Sequence, residues 1–237
     1  VIGFSCFSRN WQFTLHFSQL LRQQCPDKIL VFGGPHILFE FYRDNLQYLK
    51  NIFPEAIFVV GEGFLPLKNT LDSPLSCQRV FIFQELQDLA TLPLCTFSSW
   101  NMNTFGFVPI HTHIGCIRRC KFCSECFLYK RIKFFSLEYV IEQLSFIKHT
   151  FPGKFISFHD SMFNMNLSYL NQLLEKMIKN NLRIPWEAQI SINTEMNLSL
   201  LQKMKECGCM NLFIGVESFS SKVLHNMGKG YSQKECI

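Results

Sequence analysis

The chain opens with short apolar runs alternating with longer amphipathic stretches. Residues 1–6 form a compact apolar run with the length of a buried strand. Residues 10–24 follow a helical period, with Trp11, Leu15, Leu20 and Leu21 among the apolar positions. A second buried strand is predicted over 28–32, a second helix over 39–50 and a third strand over 56–60. Gly33-Gly34-Pro35 closes the second strand and Gly61-Glu62-Gly63 the third. Strands separated by one helix each pair in parallel, and ligands of such sheets bind at the strands' carboxyl ends, where both glycine-rich turns fall.

Periodicity weakens over about residues 70–105, which hold Pro74, Pro93 and the short apolar run 80–83. It returns as four strand–helix units. Strands are predicted over 108–114, 154–158, 186–192 and 211–216. Ser136 caps a helix with Leu137, Val140, Ile141, Leu144 and Ile147 on its apolar face. Asn166 caps a second helix, running from Leu167 to Ile178. Asn197 begins a third, which stops at Gly208, a residue type suited to a C-cap. Four successive units of this kind read as part of a parallel α/β barrel, whose chemistry sits at the carboxyl ends of its strands. The expected fold class is α/β: a partial doubly wound, Rossmann-like domain over 1–70, a linker over 71–105 and a partial barrel over 106–237.

Composition narrows the class. Of 237 residues, 48% are hydrophobic and 17% charged, as in an ordered globular chain. The net charge of +5 comes with no long block of lysine and arginine, so no nucleic-acid-binding arm is expected. The eleven cysteines are too unevenly spaced, in too core-rich a chain, for a secreted disulfide scaffold. No signal peptide is visible and no apolar run reaches the roughly 18 residues of a membrane span, so a cytoplasmic location away from membranes is expected. The chain begins at Val1, inside a strand-like run, and ends just after a turn; it reads as a piece of a longer protein.

Chemistry concentrates in Gly115-Cys116-Ile117-Arg118-Arg119-Cys120-Lys121-Phe122-Cys123, directly after the first barrel strand. Three thiolates within eight positions can grip one polynuclear metal centre and leave a metal position open for chemistry. Cys126 extends the spacing to Cys120-x2-Cys123-x2-Cys126, so a four-cysteine site, serving electron transfer or holding zinc, is the alternative. A ferredoxin-type run needs a further Cys-Pro, and Phe127-Leu128 follows instead. His111 and His113 alternate along the first barrel strand, where core histidines or barrel-lining groups are both open readings. Arg118, Arg119 and Lys121 make the loop basic.

Cys-x3-Cys-x2-Cys with Phe122 before the last cysteine resembles the cluster motif of the radical S-adenosylmethionine (SAM) enzymes. Gly215-Val216-Glu217-Ser218, with Phe219, Val223-Leu224 and Met227-Gly228-Lys229-Gly230 after it, is similar to that family's fourth-strand signature. The resemblance covers roughly residues 108–235. It implies that Cys116, Cys120 and Cys123 hold a [4Fe-4S] cluster, that the open iron takes the amino and carboxylate groups of SAM, and that reductive cleavage yields a 5′-deoxyadenosyl radical. Phe122 would contact the adenine, and Glu217 the cofactor's polar part. Asp160 would stand at the second-strand position where family members carry an acidic residue, although the glycines usual there are absent. Ser191, with Asn193 near it, would reach the ribose or carboxylate. An acidic electron donor such as flavodoxin or ferredoxin would dock on the basic loop. The first third resembles the cobalamin-binding domain that precedes the barrel in many such proteins, on Ser5, Gly33, Gly34, Gly61, Glu62 and Gly63. A cobalt-ligating histidine of that domain would lie upstream of Val1, so the resemblance supports the domain's fold more firmly than cobalamin binding. With cobalamin, methyl transfer to an unreactive carbon would follow. The substrate is not legible.

Overall fold

The computed structural model of the chain describes residues 1–73, 79–82, 88–129, 131–193 and 195–236, with the side chains of Asn103, Cys126 and Phe127 outside that description. The chain divides into two compact units, Val1–Gln87 and Asp88–Ile237.

In the first unit, β1 (Ile2–Ser5) leads to α1 (Trp11–Gln24), β2 (Leu30–Gly33), α2 (Pro35–Tyr42), α3 (Leu46–Ile52), β3 (Ile57–Val60), α4 (Phe64–Asp72) and β4 (Val80–Ile82). The four strands are parallel and lie in the order β1-β2-β3-β4. Such a one-directional order is one wing of a doubly wound sheet. Residues of β2 and β3 are buried on both faces, which is why they read as unbroken apolar runs. On one face Val31, Ile57, Val59 and Phe81 cluster. On the other, Phe4, Phe32 and Phe58 occupy one rung, with ring centroids 5.1 and 5.5 Å apart and near-parallel planes. Each such pair adds about 0.5–1.5 kcal/mol beyond its buried area.

Two expectations change here. The single helix over 39–50 is two. The chain breaks at Arg43–Asn45, where Asp44 is left-handed (φ 59°) and the Asn45 side-chain amide bonds the Glu40 carboxylate at 3.0 Å. The first of the two helices starts earlier than expected, with Pro35 in its opening turn, where a missing N–H costs nothing. In α1 the buried positions are Thr14 and Ser18, the latter donating to the Leu15 carbonyl, whereas Leu20 is exposed.

In the second unit, β5 (Phe107–Ile110) and β6 (His113–Ile114) precede α5 (Glu125–Leu128), β7 (Lys133–Phe134), α6 (Leu137–Thr150), β8 (Phe155–Phe158), α7 (Leu167–Lys179), β9 (Trp186–Ile190), α8 (Leu198–Glu206), β10 (Cys209–Ile214) and α9 (Ser221–Met227). Strands β5, β8, β9 and β10 form one parallel sheet in that order, as in a partial α/β barrel. The caps are as the sequence predicts: Ser136, Asn166 and Asn197 accept from the amides of Tyr139, Tyr169 and Leu200. The apolar stripe of α7 is buried through Leu170, Leu173, Leu174 and Met177.

The residues expected to link the domains are shared between the units, except that Pro74 and Phe83 lie outside the described residues. Val80–Ile82 adds the fourth strand of the first sheet. Residues 93–97 pack on the second unit: the buried Gln143 amide bonds both N–H and C=O of Cys95 (2.7 and 2.9 Å), and the Tyr139 hydroxyl donates to the Pro93 carbonyl. Among the described residues no helix is long and apolar enough to cross a membrane.

Candidate active site

The strand expected over 108–114 leaves its sheet at Ile110, and the cause is Asp160 at the end of β8. Its fully buried carboxylate accepts from Thr112 N (2.8 Å), Thr112 Oγ1 (2.8 Å) and His113 N (3.0 Å), which turns those amides away from the ladder. The chain then pairs antiparallel with β7 through His113 and Ile114. Asp160 is therefore not on the cavity wall where a cofactor-binding acid was expected; its oxygens are taken up by the neighbouring strand. The next residues, Ser161 and Met162, reach the cavity instead, and the Ser161 hydroxyl donates to Glu125 at 2.6 Å.

Burial pushes the Asp160 carboxyl up to about 6 and the His113 imidazole down to about 4. Thr112, His113 Nδ1 (3.5 Å) and the half-exposed His111 (3.9 Å) surround the carboxylate, and Tyr169 feels its charge. A raised acid contributes stability that is full below the unfolded pKa near 3.8 and lost as pH rises through about 6. A depressed histidine contributes the reverse, present above 6.5 and lost as pH falls through about 4. The two oppose each other between pH 4 and 6. Asp160→Asn removes the first. The stability of the wild type relative to this variant is expected to fall by about 2 kcal/mol from pH 4 to 6, read from urea midpoints. Parallel profiles would contradict it.

The cysteine loop starts at Gly115, whose φ of 86° disfavours any side chain and where an added Cβ would come within 3.0 Å of the Arg131 carbonyl oxygen. A turn closes through Cys123 N to Cys120 O at 3.0 Å. Cys116, Cys120 and Cys123 then line one cavity of about 450 Å³ together with Phe122, Ser191 and Glu217. The cavity lies at the carboxyl ends of β8, β9 and β10. Asn193, beside Ser191, is not among its lining residues. Burial raises the Cys116 thiol, and Cys120 and Cys123 add to the rise, so cation binding must drive the protons off. Among the described residues, no three His, Cys, Asp or Glu groups gather tightly enough for a single metal ion. One zinc ion, with bonds of about 2.3 Å to sulfur, needs its thiolates crowded together, whereas a polynuclear cluster spreads them over separate irons. The Cys126 side chain lies outside the described residues.

Two polar residues are placed by neighbours far away in sequence. Ser191 is held by the fully buried Asn164, whose amide accepts from Ser191 N at 2.9 Å and donates to Ser191 O at 2.8 Å. Glu217 adopts a left-handed φ of 65° just after β10, and its carboxylate folds over Gly215, where an added Cβ would meet Oε1 at 2.6 Å. Lys229 Nζ sits 3.2 Å from that oxygen and also lines the cavity. Lys229 and Asn164 had no role in the sequence reading. Glycines on both sides of the lysine, Gly228 and Gly230, were the available signal; the asparagine had none.

His111 and His113 part ways: the first is half exposed and the second fully buried, its Nε2 lacking a hydrogen-bond partner. In the basic loop, Arg119 and Lys121 are exposed, while Arg118 turns inward over the Tyr231 ring, 6.0 Å from its centroid.

In the first unit, Ser5, Gly33 and the turn Gly61, Glu62 and Gly63 fall at the carboxyl ends of β1, β2 and β3. Their glycines are not equivalent. Gly34 is left-handed (φ 96°), with an added Cβ meeting Cys6 O at 2.9 Å, so its missing side chain serves the fold itself. Gly61 is left-handed too (φ 100°), whereas Gly63 has open space beside it and Gly33 only ordinary contacts.

Residues 110–237 match the family described as Radical SAM superfamily. The chain is 27% identical over 231 residues, 88% of its length and 49% of the relative's, to an uncharacterized methyltransferase of Pyrococcus horikoshii. It is 29% identical over 217 residues, 88% of its length and 46% of the relative's, to the bacteriochlorophyllide d C-12(1)-methyltransferase of Chlorobaculum tepidum. The chain thus spans about half the length of the curated relatives it matches. Among solved structures, it shares its fold with the radical SAM methyltransferase TsrM of Kitasatospora setae, determined with cobalamin and a [4Fe-4S] cluster. The TM-score is 0.68 at 16% identity, covering 94% of this chain and 50% of that one.

Proposed function

Because the chain belongs to the radical SAM superfamily, we propose that Cys116, Cys120 and Cys123 hold a [4Fe-4S] cluster in the cavity they share with Glu217 and that the protein cleaves SAM there. The observation that carries this reading is the convergence of three thiols from one loop with the ends of three parallel strands on one cavity. Held by Cys116, Cys120 and Cys123, a [4Fe-4S] cluster would supply the one-electron reduction by which SAM is cleaved. The chain's own residues orient the cofactor. Phe122 offers its ring to the adenine, Glu217 accepts from the cofactor's polar groups, and Ser191, fixed by Asn164, offers its hydroxyl to the same cavity. The buried, apolar Met162 and Ile190 limit water on their side of the cavity.

We read the first unit as the cobalamin-binding part, with Ser5, Gly33, Gly34, Gly61, Glu62 and Gly63 on its ligand edge, and methyl transfer as the net reaction. The two relatives are methyltransferases by name, and TsrM holds cobalamin; both support this. An acidic donor, flavodoxin or ferredoxin, would meet the exposed Arg119 and Lys121. The described cysteines are free thiols, which favours a reducing compartment such as the cytoplasm.

Anaerobic reconstitution with iron and sulfide tests the site. Wild type and Cys126→Ala are both expected to retain about four irons and to bind SAM. Loss of the cluster in Cys126→Ala would instead assign a four-cysteine site without an open iron. Corrinoid absorbance retained through gel filtration checks the first unit.

A further inference from the structure

Met227, the last residue of α9, and residues 228–231 after it form a strap across the cysteine loop. Lys121 N donates to the Met227 carbonyl at 3.0 Å, and the Cys120 sulfur lies 3.8 Å from the Gly228 carbonyl. At its other end the Tyr231 hydroxyl donates to the carbonyl of Gly215, at the exit of β10. Between these anchors stands Lys229, flanked by two left-handed glycines with φ of 74° each, a backbone path other residues adopt only with strain. Its side chain is only 12% exposed. The ammonium is 3.2 Å from Glu217 Oε1 and 5.6 Å from the ring centroids of both Phe122 and Tyr231. A lysine loses much rotamer freedom when fixed in this way, so the ordering must be offset by its contacts, here one ion pair and two cation–π contacts.

We infer that Lys229 is a positioning residue that holds the Glu217 carboxylate and the Phe122 ring in their cofactor-facing arrangement, so that one strap couples the cluster loop to the exit of β10. The inference rests on the proposed function, since it takes Glu217 and Phe122 as SAM contacts. Glu217 carries an uncommon left-handed backbone, and its carboxylate, lying over Gly215, needs a partner to hold it there. The ammonium does so, and by neutralising that charge it leaves the cavity able to accept a carboxylate-bearing ligand without like-charge repulsion. The same cation lies against Phe122 and thereby limits movement of the ring.

The test uses the reconstituted full chain, with iron and sulfide content, equilibrium dialysis of SAM, and the electron paramagnetic resonance of the reduced cluster with and without SAM. Lys229→Met is expected to keep the wild-type iron content, to bind SAM about tenfold or more weakly, and to lose most of the SAM-induced spectral change. Lys229→Arg, which keeps the cation, should restore binding to within about threefold. Glu217→Gln should weaken binding comparably, and the double variant should be no worse than the weaker single, because both act on one contact. Unchanged SAM binding in Lys229→Met overturns the inference. So does loss of iron in that variant, which would make Lys229 a prop for the cysteine loop alone. Absence of a cluster from the wild type would instead bring down the proposed function, and this inference with it.

Discussion

Cys120→Ala is expected to give a folded but nearly colourless protein that neither retains a cluster nor cleaves SAM. Of the three loop cysteines, Cys120 is the most buried, at 8% exposure, and it opens the turn that Cys123 N closes onto its carbonyl. Its removal deletes one of three attachment points and leaves two thiolates unable to hold a cubane whose fourth iron must stay open. The loop's own framework survives, because Gly115, the Lys121–Met227 hydrogen bond and the 120–123 turn do not use the sulfur. Iron content should therefore collapse while the thermal midpoint of the metal-free protein moves little. Iron and sulfide assays beside a melting curve check both halves. A variant that keeps its iron would return the site to a different set of ligands, with Cys126 the first to test.

Gly208→Ala is expected to be the most damaging of the small substitutions. Gly208 joins α8 to β10 with φ of 98°, and an added Cβ would collide with the Ile184 carbonyl, a backbone atom that cannot swing aside. That crossing is itself fixed: Ile184 N donates to Cys207 O and Trp186 N to Gly208 O, at 3.2 and 3.1 Å, where β9 begins. Strain at the left-handed position and the steric conflict together should cost about 3 kcal/mol or more, lowering the melting temperature of the second unit by roughly 6–12 °C. Gly153→Ala is the control. Its φ of 80° is equally unfavourable for alanine, but the space beside it is open, so only the conformational part of about 1–2 kcal/mol applies. Equal melting temperatures for the two variants would show that the Ile184 contact carries nothing.

These cases mark where the sequence was legible. The strands and the long helices of the second unit were readable because burial repeats with a local period and because Ser136, Asn166 and Asn197 cap from their own segment. Gly208 was readable as a helix end, but the reason alanine fails there comes from Ile184, 24 positions earlier. That the three loop cysteines face one cavity was foreseeable because their spacing is local. Asp160 was misplaced because its partners, Thr112 and His113, lie nearly fifty positions upstream, and only the parallel pairing of β5 with β8 brings them together. The burial of Thr14 and Ser18 in place of Leu20 likewise follows from how α1 lies on its sheet, which no period encodes. Lys229 stood in a recognised string, yet its task depends on the backbone turn that brings Glu217 back over Gly215.

An open iron that engages SAM is the centre of the proposed function. The most direct test is to incubate the reduced, reconstituted protein with SAM under anaerobic conditions and to measure 5′-deoxyadenosine and methionine beside the paramagnetic resonance of the cluster. The account predicts a SAM-dependent change in the spectrum of the wild type, with both products formed, and neither in Cys120→Ala. A wild-type spectrum that SAM leaves unchanged, from a protein with its full complement of iron, would contradict it.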